Sequence, residues 1–172
     1  MEAIECLTQR RSVKKYKSDP VPQEVLEKIL EAGMNAPTGM NRQAPIILAV
    51  TNKELRDKLS KLNAKVLGAD TDPFYGAPVV LAVLADKNAN TYLYDGSLVM
   101  GNLLNSAHAL GVSSCWIHRA KQIFEGEEGK AILKSLGIEG EYEGIGFCIL
   151  GYADCPQPAK RPRKQNYVYY VK

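Results

Sequence analysis

The sequence contains little that would place the protein in a membrane, outside the cell or around a metal ion. No apolar run among its 172 residues approaches the ~20 residues that a bilayer-spanning helix needs. Met1 to Glu5 lack the basic and apolar regions of a signal peptide, so we expect a cytoplasmic protein without a membrane partner. The four cysteines form no CxxC pair and only two histidines accompany them, which favours small buried thiols over a zinc site or a disulfide framework.

The motifs of several enzyme classes are also absent. There is no GxGxxG after a predicted strand, no GxxxxGKS/T and no GxSxG. These absences argue against a dinucleotide-binding Rossmann fold, a phosphate loop and a nucleophile elbow. Cys115 and His118 could pair, but nothing nearby in sequence would orient the histidine as a base. We therefore predict no catalytic side chain and no metal, and expect a cofactor to carry any chemistry.

The positive charge of the chain lies at its two ends. The net charge is only +3, yet Arg10 to Lys17 contain five basic residues and no acidic one, and so does the stretch from Pro156 to the end. Neither stretch has the interleaved aromatic residues of an RNA-recognition motif, so no nucleic-acid partner is expected. Arginine, serine and lysine together supply forked donors, a hydroxyl and a point charge that suit a phosphate, although a solvated basic turn would have the same composition.

The stretch from Asp95 to Ile117 predicts a helix that is apolar nearly all round, followed by a short turn and an extended segment. Asp95 is a candidate N-cap, Gly111 is a candidate left-handed C-terminal residue, and no charged residue lies between Asp95 and Arg119. A helix that is apolar nearly all round must be covered nearly all round. We expect it at the centre of the core, at the centre of a subunit interface, or at both.

Hydrophobic spacing predicts a mixed arrangement of helices and strands around this element. Helices are expected after Pro22, around Leu55 to Leu62 and from Glu127 to Gly137, and buried strands are expected over 46–50, 79–84 and 145–150. Residues 65–76 are expected to form a mobile loop whose aspartates are solvated. The tail contains three prolines between Pro156 and Lys164, which exclude a helix or central strand there.

A polar loop precedes the first predicted strand. Ala36-Pro37-Thr38-Gly39-Met40-Asn41-Arg42-Gln43-Ala44-Pro45 contains two prolines and several amides and hydroxyls. A loop that enters a strand is a common place for ligand contacts. Its side chains could equally bond only the backbone of the loop itself.

Four motifs in chain order resemble the FMN-dependent nitroreductase family. The segment Arg10 to Tyr16 resembles the RRS-R/K-F motif, and Ala36 to Gln43 resembles the AP-S/T-xxNxQPW loop. The stretch Asp95 to Ile117 resembles the central helix ending in LGxxxCWI, and Leu150-Gly151-Tyr152 followed by Pro162-Arg163-Lys164 resembles the closing LGY…PRK. Each motif alone is weak evidence for the family. Together the four occur in the family's order and extend over nearly the whole chain, which makes the resemblance strong.

The resemblance implies a single α+β domain over residues 1–172. The expected architecture has three layers, α-β-α, with a central antiparallel or mixed sheet and a buried central helix. The family also implies a homodimer, in which residues 155–172 form an extended, domain-swapped tail that crosses to the partner subunit.

The resemblance further implies FMN as the cofactor and NAD(P)H as co-substrate, used in a ping-pong reduction of nitro compounds, quinones or similar small-molecule acceptors. The flavin is expected to carry the chemistry. The residues that match family positions beside the cofactor are Arg10, Arg11, Ser12, Lys14, Pro37, Thr38, Gly39, Asn41, Gln43, Ile117, His118, Arg161 and Arg163. Those of the Pro37 to Gln43 loop are expected to reach the flavin of the partner subunit.

The sequence departs from the family pattern in several places. Ala44-Pro45 replaces the usual Pro-Trp, residues 65–76 show no Asn-x-x-Lys contact, and His118-Arg119 is a bulky basic pair. Residues 65–76 are a candidate lid. Other flavin chemistry (reductive dehalogenation or flavin fragmentation), a flavin-binding protein without turnover, and a non-flavin anion-binding module stay open as alternatives.

Overall fold

The computed structural model describes residues 1–172 as six helices, four strands and one short 3₁₀ turn. The helices are α1 Ala3–Gln9, α2 Gln23–Met34, α3 Lys53–Leu67, α4 Tyr92–Ala109, α5 Ala120–Glu125 and α6 Glu127–Ser135. The strands are β1 Pro45–Val50, β2 Val79–Asp86, β3 Ser113–Ile117 and β4 Tyr142–Gly151, and the 3₁₀ turn is Gly39–Asn41. No helix is both long enough and apolar enough to cross a membrane.

The four strands form one antiparallel sheet in the order β1-β2-β4-β3. Strands β2 and β4 are central, and their side chains are almost all buried. Such strands are covered on both faces, which explains their continuous apolar sequences. Strand β1 is an edge strand and only Val50 is buried in it, so the prediction of a buried strand there is wrong for the single chain.

Side chains of β2 alternate between two hydrophobic clusters, one on each face of the sheet, because successive residues of a strand point to opposite sides. Val80 and Leu84 pack with Phe74, Phe147 and apolar residues of α3, α5 and α6. Leu81 packs on the other face with residues of α2 and α4. The expected three-layer α-β-α domain with a central antiparallel sheet is confirmed.

The central helix α4 begins earlier than predicted. Its N-cap residue is Thr91, and Asp95 lies inside the first turn rather than at the cap. The Asp95 carboxylate is 3% exposed, and it accepts hydrogen bonds from the Gly39 amide (3.0 Å) and the Thr91 hydroxyl (2.9 Å). The predicted left-handed residue after the helix is confirmed, since Gly111 has φ of 76°.

One stripe of α4 is exposed in the single chain. Met100 and Leu103 are fully buried, whereas Tyr94 is 73% exposed and Leu98, one turn later, is 47% exposed. Large apolar side chains one helical turn apart form a continuous strip. The single chain therefore covers only part of this helix.

Residues 65–76 differ from the predicted mobile loop. The first three belong to α3, which ends at Gly68 in the left-handed conformation. Asp72 then accepts hydrogen bonds from Arg56 Nη2 (2.5 Å), Ser60 Oγ (2.6 Å) and the amides of Phe74 (2.9 Å) and Gly76 (2.7 Å). Asp70 is exposed. The prediction of a solvated carboxylate is therefore confirmed for Asp70 and wrong for Asp72. A lid function for this segment stays a prediction.

These contacts set the ionisation of Asp72. Partial burial on its own would raise the pKa of this carboxyl group, but the hydrogen bonds from Ser60, Arg56 and the two amides outweigh it and lower the pKa below its usual value. Asp72 is thus a fixed, charged anchor for the segment.

The tail after Cys155 has no helix or strand and is exposed throughout, as the prolines predict up to Lys164. Tyr167 to Val171 have strand-like composition, but they form no strand and are 63–98% exposed. Three of the four thiols are buried and Cys155 is half-buried, which agrees with the interpretation of the cysteines as thiols in or near the core.

Candidate functional site

The basic segment after α1 runs along the edge of the sheet. The Val13 amide donates to the Ser114 carbonyl (3.1 Å), and Ser12 forms an isolated parallel bridge with Ser114 in β3. Val13 and Tyr16 point into the core, and the Tyr16 hydroxyl donates to the Val13 carbonyl (2.8 Å). The intervening polar side chains face outwards, so β3 fixes the position of the basic residues.

The two basic ends of the chain meet in one cleft, called here the basic cleft. It is lined by Leu7, Thr8, Arg10, Arg11, Ser12, Lys160 and Arg163. An adjoining cleft shares three of these residues and is lined by Arg11, Ser12, Lys14, Lys15, Cys155, Pro158, Ala159, Arg161 and Arg163. Neither cleft has an acidic lining residue. The sequence separates these groups by about 150 positions, and the fold places them around a common space.

Short-range contacts hold the beginning of the tail beside the N-terminal segment. Gln157 Nε2 donates to the Gln9 carbonyl (2.8 Å), and Lys15 Nζ lies 2.9 Å from the Asp154 carboxylate. The hydrogen bond and charge of each partner raise the pKa of Lys15 and lower that of Asp154, so both stay charged around neutral pH. Asp154 is thus paired with Lys15, and none of Arg10, Arg11, Arg161 and Arg163 forms an ion pair with a carboxylate of the chain.

The donors that remain fit an oxyanion such as the phosphate of FMN. Arg11 Nη1 donates to the carbonyls of Thr8 (3.0 Å) and Arg10 (2.6 Å), which orients its guanidinium group. Arg10 Nη1 is buried and has no hydrogen-bond partner within the chain. A buried donor without a partner costs free energy, which a bound acceptor would recover. Roles of Arg10, Arg11, Ser12, Lys14, Arg161 and Arg163 toward the phosphate stay predictions.

The Pro37 to Gln43 loop is held on the first turn of α4. Asp95 accepts from the Gly39 amide, and a Cβ atom at Gly39 would lie 2.3 Å from Thr91 Oγ1, so only glycine fits there. Thr38 Oγ1 accepts from the Gln43 amide (3.1 Å), and Asn41 Oδ1 accepts from Gln43 Nε2 (3.4 Å). The loop therefore uses some of its polar groups on itself, as the alternative interpretation allowed.

This loop does not meet the basic cleft within one chain. Thr38 and Gln43 line a separate, mostly apolar cleft with Leu30, Met34, Ala36, Pro45, Ile46, Ile47, Ala49 and Val99, which shares no residue with the basic cleft. Pro37 and Asn41 are exposed and Gly39 is half-buried. The fold thus divides the predicted cofactor residues into two groups.

Strand β3 leads from the basic cleft to His118. Ser114 lies beside Ser12, and His118 follows four residues later, about 13 Å away at the rise of a β-strand. His118 is exposed, whereas the Ile117 side chain belongs to the core. Any contact of Ile117 with a ligand is therefore restricted to its main chain.

A buried asparagine fixes the turn after β3. Asn63 is fully buried; its Nδ2 donates to the His118 carbonyl (2.9 Å), and its Oδ1 accepts from Arg119 Nε (2.7 Å). Arg119 has φ of 78°, a conformation that non-glycine residues adopt only under constraint. Both polar atoms of Asn63 are used inside the chain, so it supports the His118 turn.

Sequence reasoning missed four residues around these sites. Asp95 was assigned to the helix cap, Asn63 stood in an amphipathic helix without a signal, and His108 stood in an apolar helix. Lys160 belongs to the basic tail and could have been named with its arginine neighbours. The other three depend on partners far away in sequence, which no local pattern shows.

The sequence and the fold match known nitroreductases. The nitroreductase family profile matches residues 7–69. A relative from Archaeoglobus fulgidus, named as a provisional NADH dehydrogenase/NAD(P)H nitroreductase, is 30% identical over 157 residues, which are 88% of this chain and 85% of the relative. A relative of the same name from Methanothermobacter thermautotrophicus is 30% identical over 120 residues, which are 67% of this chain and only 60% of the relative. A nitroreductase structure with bound FMN from Bacteroides fragilis has a TM-score of 0.90 and 26% identity, with each chain covered completely.

Proposed function

The chain belongs to the nitroreductase family, and from this premise we propose that it is an FMN-dependent oxidoreductase that oxidises NAD(P)H and reduces nitro compounds, quinones or similar small acceptors. The observation that carries the proposal is the basic cleft. Arginine and lysine from both ends of the chain line it without an acidic residue, and Arg10 has a buried donor left over. The similar Bacteroides fragilis protein was solved with FMN bound.

In this proposal the basic residues hold the phosphate of FMN. Guanidinium groups present parallel N–H donors that match phosphate oxygens, and their charge persists at any physiological pH. Arg11 is oriented by two main-chain carbonyls before any ligand binds, which reduces the ordering cost of binding. Ser12 is fixed by its bridge to β3 and adds a hydroxyl to the same set.

The remainder of the cofactor would follow β3 toward His118. FMN, when bound, supplies the hydride-accepting and electron-donating chemistry that no side chain of this protein provides. The buried Asn63 fixes the His118 turn, so this end of the site has a rigid wall. NAD(P)H and the acceptor would use the same space in succession, which gives a ping-pong mechanism.

The proposal includes a homodimer. Tyr94 and Leu98 form an exposed apolar strip on α4, and the tyrosine-rich end of the tail has no contact surface within its own chain. Burial of such a strip against a second copy is favourable by roughly 25 cal/mol per Å² of apolar surface. A partner would also bring its Pro37 to Gln43 loop toward the basic cleft, which one chain cannot do. A cytoplasmic location stays a prediction.

The visible absorption spectrum of the purified protein tests the proposal. We expect a yellow protein with the bands of oxidised flavin, either as isolated or after addition of FMN, and bleaching of these bands by NADH or NADPH without air. Restoration of the bands by a nitroaromatic compound or a quinone would identify the acceptor class. A yellow protein that no nicotinamide bleaches would support a flavin carrier instead, and a protein that takes up no FMN would contradict the proposal.

A further inference from the structure

A second polar cavity shares Arg10 and Arg11 with the basic cleft and lies at the C-terminal end of α4. Its volume is about 260 Å³, and it is lined by Met1, Arg10, Arg11, Val13, His108, Gly111, Val112, Ser113, Ser114, Ala153 and Gln157. Two of the lining residues, Arg10 and His108, each have one buried side-chain nitrogen, Nη1 and Nε2, without a hydrogen-bond partner within the chain. A ligand in the cavity would reach these nitrogens after a small rotation of the two side chains. The basic cleft contains only one such residue, Arg10.

The surroundings of His108 determine its charge without a ligand. Burial lowers its pKa, and the charges of Arg10 and Arg11 lower it further, while Glu5 on α1 acts weakly in the opposite direction. Ser113, Ser114 and Gln157 are neutral, and Met1, which carries the amino terminus, also lines the cavity. The last carbonyls of α4 favour a cation at this position. His108 is therefore neutral at neutral pH, and an anion bound beside it would raise its pKa and favour uptake of a proton from solvent.

One ligand class satisfies both atoms at once. A guanidinium N–H and a protonated imidazole N–H are both donors, and a shared oxyanion accepts from each while neutralising their mutual repulsion. A water molecule could bond both atoms but would leave the positive charges of Arg10 and Arg11 uncompensated. The donor set therefore favours an oxyanion over water.

We propose that Arg10 and His108 hold an oxygen of a phosphoryl group in this cavity and that His108 takes up a proton when the group binds. The phosphate of FMN and free inorganic phosphate share this chemistry. With FMN as the source, the inference rests on the proposed function, and His108 joins Arg10, Arg11 and Ser12 as a binding residue. The remaining phosphate oxygens would stay on the side of the basic cleft, which Arg10 and Arg11 also line.

Imidazole NMR of the unmutated protein tests the proton uptake directly. The chain has only two histidines, and His118 is exposed beyond the far end of β3, so its signal is an internal control for inorganic phosphate. The flavin ring of FMN or riboflavin would lie near His118 in the proposed function, so with these two ligands the comparison is made on His108 alone. We would titrate both signals between about pH 5 and 9 in the cofactor-free protein, then with inorganic phosphate, FMN or riboflavin. We expect FMN and inorganic phosphate to raise the His108 pKa. Riboflavin, which lacks the phosphate, should leave it unchanged.

Affinity measurements give a second readout. The variant His108→Gln keeps a polar side chain but cannot gain charge, and we expect its FMN dissociation constant to rise about tenfold at pH 6 and less than about threefold at pH 8. The ionisation of free FMN, whose phosphate has a second pKa near 6, is the same for both proteins and cancels in the ratio of their dissociation constants. The control variant Lys134→Gln removes a basic residue from the last turn of α6, away from the site. Its FMN dissociation constant should equal that of the unmutated protein at both pH values.

The outcomes separate the two proposals. FMN binding with an unchanged His108 pKa and a pH-independent ratio would overturn the inference and leave the proposed function intact. A His108 response to inorganic phosphate in a protein that binds no FMN would support the oxyanion site and overturn the proposed function. A protein that binds neither FMN nor inorganic phosphate would overturn both.

Discussion

Residues 69–76 and the tail from Pro156 to Lys172 are both irregular, polar and proline-containing, yet only the first is fixed to the body of the chain. Phe74 is fully buried against Phe147, with ring centroids 5.2 Å apart, and Asp72 gathers four donors. One side-chain hydrogen bond, from Gln157, joins the tail to the rest of the chain; the bond from Arg163 to the Arg161 carbonyl lies within the tail, and the aromatic residues of the tail are exposed. An irregular segment becomes part of a fold when it has a buried apolar anchor and a partner for its backbone groups. The tail has neither within one chain.

Removal of the Asp72 carboxylate should have the largest effect on stability. Asp72→Ala removes one of the two carboxylates that pair with Arg56, whose side chain is only 11% exposed, and it frees two amides; Asp57 stays as the other partner. We expect a loss of about 2–4 kcal/mol of unfolding free energy, measured by urea denaturation. Asp70→Ala removes an exposed neighbouring carboxylate and should change stability by less than about 0.5 kcal/mol. Equal effects of the two substitutions would mean that Asp72 does not anchor the segment.

Substitutions in the tail should change the affinity for FMN, whereas substitutions in residues 69–76 should change the stability of the fold. Arg163→Ala removes a charge-assisted contact proposed for the phosphate, and we expect FMN binding to weaken by roughly 1.5–3 kcal/mol, measured by flavin fluorescence. The adjacent Lys164 lines neither basic cleft, so Lys164→Ala is the matched control and should have little effect. An unchanged FMN affinity in the Arg163 variant would refute its phosphate role.

The pH dependence of stability should distinguish the anchored carboxylate from solvated ones. The folded pKa of Asp72 lies below its ordinary value of 3.8, so its stabilising contribution is fully present above that value and is lost as the pH falls through the folded pKa. We expect the stability difference between the unmutated protein and Asp72→Asn to shrink between about pH 5 and the acid limit of folding. A difference that stays constant over this range would show that the hydrogen bonds do not depend on the charge.

The smallest effect on the fold is expected from shortening the tail. Deletion of residues 165–172 removes exposed side chains only, so the unfolding free energy of the monomer should change by less than about 0.5 kcal/mol. Association should weaken instead, if the tyrosine-rich end packs on a second copy. Sedimentation velocity over a range of concentrations measures this. A truncated chain that associates as strongly as the full chain would exclude the tail from the interface.

Periodicity predicted the elements whose burial is decided locally. The uniformly apolar sequences of β2 and β4, the striped helices α2, α3 and α6, and the helix ends at Gly111 and Gly137 all follow from side-chain spacing and glycine conformation. The six-residue helix α5 was missed, since it is too short for a stripe to be recognised. The position of β1 was predicted, but its burial was not, because sequence pattern does not distinguish an edge strand from a central one.

The candidate site was predicted in part. The basic residues of both ends were named from the sequence, and the fold brings them into adjoining clefts. Ile117 was named as well, but its side chain lies in the core, because β3 directs it to the inner face. The sequence predicts Asp95 as the helix cap, since an aspartate before an apolar helix is usual there, whereas the helix begins at Tyr92 and its N-cap is Thr91.

The sequence by itself determined the two-faced sheet, the apolar central helix and the concentration of positive charge at the chain ends, because hydrophobic period and composition are properties of neighbouring residues. Only the tertiary structure decided which polar groups meet. Arg56 and Asp72 are 16 residues apart in sequence, Gly39 and Asp95 are 56 apart, and so are Asn63 and Arg119. His108 and Arg10 are also far apart in sequence, and the fold places them in one cavity. Hydrogen bonds act over about 3 Å, and packing of the whole chain sets which donors and acceptors come that close.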